Sequence, residues 1–467
     1  MPSRENMASK RTLKVTDAGR ELFHMAQQYS VGGINSLPLY FESGKGSYLT
    51  VCASLLMFAH AHRSFKDSEG NQLIDFICGF SASNLGQCHP RIVEAQVKSA
   101  QQITLANIAG MSASWPPLAK RLCDKFGYDK VTAMTSGAEA ADTACKLARG
   151  WGISTKKIKP ADVLVLGTSD NYHGTTSGVW PLMEREAGWE LYGTFSSNLT
   201  NVNPLTGKVL RYLHAEDYAE VFEKLHERIA GVIMEPLHGT SRSMQDEIDF
   251  CIKVRQLCKK YNILYIADEV RMGSCKTGKT LCSDWLGPEN KPDLIIMGKS
   301  ISSGAYPTSF VLGYDEVMTN FKPYHSLSTF AMSSMACAVV NASLDVWEQL
   351  KLDQRAQEIH DKWVKETSTW NFPYLKYASA FGADMNLFFD EAYAQRDEKI
   401  TPRRFTLLCA TKGLLVYPAP GGRVRMGVSL TISDANLYKG FKIVREALEE
   451  LPLYGEIELD QQWDGGF

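Results

Sequence analysis

The stretch Asp293-Leu294-Ile295-Ile296-Met297-Gly298-Lys299-Ser300-Ile301-Ser302-Ser303-Gly304 sets a single basic residue just past an apolar run. Four consecutive apolar side chains read as a buried strand, and the small residues after them as a flexible loop. Lys299 therefore falls beyond the strand end, at the mouth of a sheet. An ammonium group in that position is costly to desolvate, so its pKa falls and the free amine becomes available. A free amine in a pocket condenses with carbonyl groups to a Schiff base. A solvated loop lysine accounts for this segment equally well, so the rest of the chain has to decide.

Outward from this strand, apolar runs at 131–134, 163–166, 231–234, 263–267 and 309–312 alternate with helical patterns at 139–149, 218–229 and 250–261. Such alternation predicts an α/β domain around a mostly parallel sheet. Beyond 336 the order changes. A long helix to 350 leads into strand-like runs at 386–389 and 423–428. A closing amphipathic helix then carries Leu437, Phe441, Val444 and Leu448 on one face. That is a smaller α+β unit. We place a large domain at 79–335, a C-terminal small domain at 336–467, and 1–78 as a segment joining the small domain, so that both chain ends build it.

The 467 residues carry a net charge of −2, which gives no electrostatic case for nucleic acid or an anionic membrane. No apolar run is long enough to cross a bilayer. Eleven cysteines form no C-x-x-C pair and no metal-ligand spacing, so no metal is expected and reduced thiols in a cytoplasmic setting are. Arg4, Lys10, Arg11 and Lys14 against Glu5 form a weak transit-peptide pattern, which keeps a mitochondrial location as the alternative.

Four further pieces complement Lys299. Thr135-Ser136-Gly137-Ala138-Glu139 follows a strand and opens a small-residue helix, so its free N–H groups suit a phosphate, although an ordinary N-cap reads the same way. Ile266-Ala267-Asp268-Glu269-Val270 ends a buried strand in two carboxylates. A carboxylate at a sheet edge can hold a pyridinium nitrogen protonated, as pyridoxal phosphate requires, or merely cap a loop. In Asn171-Tyr172-His173-Gly174 an aromatic ring just after a strand can stack on a planar cofactor, with Gly174 permitting close approach. Arg423-Val424-Arg425-Met426-Gly427 could aim a guanidinium at a carboxylate. Each has a bland explanation alone, as a packed loop tyrosine or an exposed strand arginine.

In this order, the pieces resemble the class III, fold type I, pyridoxal-phosphate-dependent aminotransferases, and among them the ornithine aminotransferases. The likeness runs nearly the whole length. Gly44-Lys45-Gly46-Ser47-Tyr48-Leu49, Gly86-Gln87-Cys88-His89-Pro90, Phe126-Gly127-Tyr128-Asp129-Lys130-Val131, Lys146-Leu147-Ala148-Arg149, Glu235-Pro236 and Ser328-Thr329-Phe330 join the motifs above. The resemblance implies that Lys299 is the Schiff-base lysine and proton shuttle, that Asp268 pairs with the pyridine nitrogen, and that Tyr172 stacks on the ring. It implies that Ser136, Gly137 and Ala138 hold the phosphate, joined by Thr329 from the partner subunit of a homodimer. Arg425 would bind the carboxylate of an amino acid or 2-oxo acid. The expected reaction moves an amino group from an amino acid, including basic donors such as lysine or ornithine, to a 2-oxo acid. Epimerase, aminomutase or decarboxylase chemistry on the same scaffold is the alternative, followed by a non-catalytic paralogue.

The departures from the family bear on substrate. Ile34 stands where these enzymes carry a Tyr, Phe80 where they carry a Tyr, and Thr175 where they carry an Arg. Thr240 replaces a Glu that covers the carboxylate-binding arginine. Arg271 replaces the usual Gln after Asp-Glu-Val; beside the cofactor's phenolic oxygen it would favour the anion more strongly than an amide. Ala331-Met332-Ser333-Ser334 replaces Gly-Gly-Asn-Pro in the neighbour's phosphate loop. Sixteen residues, 51–66, interrupt a strand pattern that otherwise runs from Tyr48-Leu49 into Asp67. They read either as an inserted hydrophobic flap or as a retained intron.

Overall fold

The computed structural model describes Gln28 and residues 64–66, 72–105, 112–183, 189–193, 195, 198–322, 324–397 and 399–454. Ile34 and residues 51–63 lie outside them. The chain forms two compact units, one of Ser81–Asn84 with Pro90–Gln357, the other of the described part of Met1–Phe80 with Leu85–His89 and the described part of Glu358–Phe467. The first unit reaches past the expected boundary at 335, because helix Ser334–Gln349 packs on helix Pro90–Gln102. Among the described residues no helix is long and apolar enough to cross a membrane.

The larger unit is built on a seven-stranded sheet. Its strands are β3 (Lys130–Met134), β4 (Leu164–Leu166), β5 (Leu199–Thr200), β6 (Ile229–Met234), β7 (Leu264–Asp268), β8 (Leu294–Met297) and β9 (Ser309–Gly313). Their spatial order is β3-β9-β8-β7-β6-β4-β5, with only β9 running against its neighbours. Every residue of β6 through β9 is buried, which is why these strands read as unbroken apolar runs. Helix Gly137–Ser154 covers one face with Ala140, Ala141, Ala144, Leu147 and Ala148 in a core shared with Ile233, Ile266, Ile296 and Val311. Its small residues let it lie close to the sheet. A Cβ on Gly152 would sit 2.6 Å from that of Ala230.

The second unit holds two sheets. One has the order β10 (Leu375–Phe381), β11 (Asp384–Phe389), β14 (Arg423–Gly427), β13 (Tyr417–Ala419), all antiparallel. The other pairs β2 (Gln72–Asp75) with β1 (Ser64–Lys66) antiparallel and with β12 (Leu414–Leu415) parallel. Helix Asp434–Glu450 buries the expected stripe of Leu437, Phe441, Val444 and Leu448, and Gly440 lies against the Phe76 ring. Strand β1 falls at the end of the stretch 51–66. Its three residues are paired with β2, Phe65 in register with Leu73.

Candidate active site

Strands β7 and β8 are parallel neighbours, with Asp268 in register with Ile296. Asp268 closes β7, and Lys299 begins the turn after β8, so the carboxylate and the amine leave adjacent strands at the same edge. Lys299 is half-buried and has φ +46°, a left-handed conformation costing about 1–2 kcal/mol in a residue with a Cβ. The turn holds it there. The Ile301 N–H donates to the Gly298 carbonyl at 3.1 Å, and the Ser302 hydroxyl donates to the Lys299 and Tyr306 carbonyls at 3.2 and 2.6 Å.

The adjacent carboxylates divide their work. Glu269 is fully buried, and its oxygens accept the N–H groups of Cys282 and Ser283 at 2.7 and 2.8 Å, tying down the loop after β7. Burial pushes its carboxyl up, and those hydrogen bonds oppose the rise. Asp268 is also buried; its Oδ1 accepts the Val270 N–H at 3.0 Å and its Oδ2 meets His173 Nδ1 at 2.7 Å. With Asp268 ionised, His173 Nδ1 donates. His173 Nε2 is buried with no protein partner among the described residues. Sequence reasoning assigned His173 no role, since 95 residues separate it from Asp268 and no spacing rule links them.

Ser136 caps helix Gly137–Ser154 in a capping box. Its hydroxyl accepts the Glu139 N–H at 3.2 Å, while Glu139 Oε2 accepts the N–H groups of Thr135 and Ser136, each at 2.8 Å. The next two N–H groups, of Gly137 and Ala138, have no helical partner and face outward from the positive end of the helix. The Ser309 hydroxyl donates to the Ser136 carbonyl at 2.7 Å and fixes the turn to β9.

Two glycines bring the loops together. A Cβ on Gly137 would lie 3.0 Å from Val270 Cγ1, and one on Gly174 (φ +110°) would lie 2.4 Å from the Ala138 Cβ. The Tyr172 loop therefore rests directly on the Ser136–Ala138 turn, and only glycine fits at 174. Tyr172 is 58% exposed while its N–H is tied to the buried Glu235 Oε1 at 3.0 Å.

Arg271 is buried. Its Nε donates to Glu235 Oε2 at 3.2 Å and its Nη2 to the His238 carbonyl at 2.5 Å. Thr175 is exposed beside Thr176, whose hydroxyl donates to Asp142. Thr329 is exposed, and the Ser328 hydroxyl before it meets that of Thr135 in the same chain. Phe80 and Arg425 belong to the other unit. There Phe80 packs edge-on against Tyr417 at 5.1 Å, and Tyr417 is the cross-strand partner of Arg425, so Tyr417 links the two sequence candidates.

Sequence reading also missed Glu247. Its fully buried carboxylate accepts four successive N–H groups, of His238, Gly239, Thr240 and Ser241, at 2.6–3.0 Å, and the Tyr212 hydroxyl at 3.2 Å. This one side chain shapes the loop after β6. Glu247→Ala is expected to lower stability by about 3–5 kcal/mol, because it orphans those buried donors. A denaturation midpoint within experimental error of wild type would refute this.

These groups fit pyridoxal phosphate. The Ser136 turn presents N–H donors to a phosphate, the exposed Tyr172 ring offers a stacking face, Asp268 supplies an anion, and Lys299 an amine.

The comparisons with known proteins agree. The family model for class-III aminotransferases matches residues 56–448. The chain is 32% identical to an ornithine aminotransferase of Schizosaccharomyces pombe, across 96% of this chain and 97% of that protein. It is 30% identical to the ornithine aminotransferase of Saccharomyces cerevisiae, across 94% and 100%. The crystal structure of the ornithine aminotransferase from Toxoplasma gondii superposes with a TM-score of 0.78 at 26% identity, covering 94% of this chain and 96% of that one. On these matches over most of its length, the chain belongs to the class-III aminotransferases, pyridoxal-phosphate-dependent transaminases of fold type I.

Proposed function

We propose that Lys299 and Asp268 carry the transamination, with an amino acid as donor and a 2-oxo acid as acceptor. The buried Asp268–His173 pair at the edge that also bears Lys299 is the observation that supports this most. Bound pyridoxal phosphate supplies the electron sink that stabilises negative charge at the donor carbon. His173 Nδ1, 2.7 Å from Asp268 Oδ2, positions that carboxylate, which would pair with the cofactor's ring nitrogen. Lys299 Nζ anchors the cofactor between turnovers and moves the proton at the donor carbon. The Gly137 and Ala138 N–H groups, with the Ser136 hydroxyl, would hold the phosphate, Tyr172 would stack on the ring, and Arg271 would favour the anion of its phenolic oxygen. Recognition of the substrate carboxylate is assigned to Arg425, and selectivity for the rest of the substrate to the residue types at Phe80, Ile34 and Thr175.

The ornithine aminotransferases among the relatives support a basic amino acid as donor. The residues at 34 and 175 argue that ornithine itself is handled poorly at its terminal amine, because Ile34 and Thr175 lack the charged clamp. Losing a charged bidentate contact costs about 2–5 kcal/mol, some 30- to several-thousand-fold in rate. A donor screen in single turnover tests the point. Ile34→Tyr with Thr175→Arg is expected to raise terminal-amine transfer from ornithine, and lysine, one methylene longer, to be accepted by the wild type. Ornithine emerging as the best wild-type donor would sink this assignment.

We further propose a homodimer in which Thr329 serves the partner's cofactor phosphate. Tyr324, Leu327 and Phe330 on the same loop are exposed at 87%, 53% and 52%, an apolar surface suited to a second copy. A hybrid of one Lys299→Ala subunit and one Thr329→Ala subunit distinguishes the arrangements. Acting across the interface, Thr329 leaves the hybrid one site with wild-type cofactor affinity. A hybrid whose remaining lysine-bearing site binds cofactor weakly would instead assign Thr329 to its own chain's site. Every described cysteine is free, which favours a reducing compartment such as the cytoplasm.

A further inference from the structure

We propose that Glu235 and Arg271 act as a charge-cancelling couple that sets the protonation of the bound cofactor, an inference that rests on the reading of Arg271 as the cofactor's neighbour. Glu235 is 2% exposed and Arg271 9%. One Glu235 oxygen accepts the Arg271 Nε–H at 3.2 Å, and the other accepts the backbone N–H of Tyr172 at 3.0 Å. The Glu235 N–H in turn donates to Asn171 Oδ1 at 2.7 Å. A single carboxylate thus connects the arginine to the loop that carries the stacking ring.

An arginine this deeply buried would, unopposed, be costly and would lower the pKa of any cationic group beside it. Glu235 opposes it. Among the described residues, other titratable groups around the pair come from four directions. His238 Nε2 lies 3.8 Å from Glu235 Oε1. The Tyr212 hydroxyl donates to the Glu235 carbonyl and to Glu247, whose carboxylate is taken up by the loop N–H groups. Cys282 is buried, with its thiol pushed well up and therefore neutral. The Asp268–His173 pair lies on the Tyr172 side. Glu235 and Arg271 are the two groups in direct opposite-charge contact with each other and with the segments that frame the cofactor site. The exchange of an amide for a guanidinium at 271 therefore adds hydrogen-bond donors there while the net charge stays near zero.

The test is a pH titration of the visible absorbance band of the resting holoenzyme, without substrate, in wild type, Glu235→Gln, Arg271→Gln and the double variant. Glu235→Gln keeps the oxygen that accepts from Tyr172 but removes the carboxylate charge that faces the arginine. Its titration midpoint is expected to fall by about one pH unit or more, and that of Arg271→Gln to rise by a similar amount. The double variant is expected to return to within about half a unit of wild type, and Glu235→Asp, which keeps the charge, to stay there. Single variants that shift in the same direction, or not at all, would overturn the couple. If Arg271→Gln does not fold, the downward shift in Glu235→Gln decides, since lost packing has no reason to produce that sign. A wild-type protein with no absorbance band at all would instead refute the cofactor reading on which the couple rests.

Discussion

Lys299→Ala is expected to abolish transamination, with a loss of at least about four orders of magnitude, while the thermal midpoint stays close to that of wild type. The size follows from a double role. The amine both anchors the cofactor and moves the proton, and no other lysine lies between the ends of β8 and β9 in sequence. The fold is expected to survive, because the side chain is only half-buried and the turn is held through backbone groups and the Ser302 hydroxyl. Alanine inherits the φ of +46° at a cost that a small residue bears no worse than lysine. The decisive measurement is a single-turnover assay with added cofactor, alongside borohydride treatment of the holoenzyme. Wild type should be trapped irreversibly and the variant should not. A variant with full activity would end this assignment of Lys299.

Asp268→Asn is expected to retain the cofactor and lose on the order of a thousandfold in the chemical step. The argument is electrostatic. A neutral amide cannot hold a ring nitrogen protonated, so the negative charge developing at the donor carbon loses its sink. Geometry adds to it. The asparagine oxygen can still accept the Val270 N–H, but the amide NH2 then faces His173 Nδ1, which donates to Oδ2 when Asp268 is ionised. His173 must change tautomer and place a proton on the buried Nε2, which has no described protein partner. The loss should therefore appear in single-turnover rate at saturating donor, with cofactor absorbance and thermal midpoint preserved. Turnover near wild type would place the ring-nitrogen partner elsewhere. Glu269→Gln makes a useful contrast: it should weaken the loop at Cys282 and Ser283, and hence stability, more than the chemical step.

The sequence by itself determined the parts of this protein that lie within one window of chain. The apolar runs of β7 and β8 are buried on both faces, so their hydrophobicity, their ends and the residues just past those ends could be read directly. The Ser136 turn was legible for the same reason, since a cap and its helix are neighbours in sequence. Elements without a local signal were not. β5 is two residues long, and β10 mixes exposed and buried positions without strict alternation. The helix expected at 218–229 in fact spans Ala215–Leu225, its last expected residue being claimed by β6, because pairing in the sheet outweighs helical periodicity at a boundary. Only the tertiary structure decided which polar groups meet. His173 reaches Asp268 across 95 residues, Arg271 reaches Glu235 across 36, and Glu247 gathers four N–H groups from a loop that its own helix follows. A charged side chain carries no mark in sequence of the partner that will neutralise it. That partner is set by where sheet packing brings the strand ends, and the cost of burying a charge alone then makes the pairing obligatory.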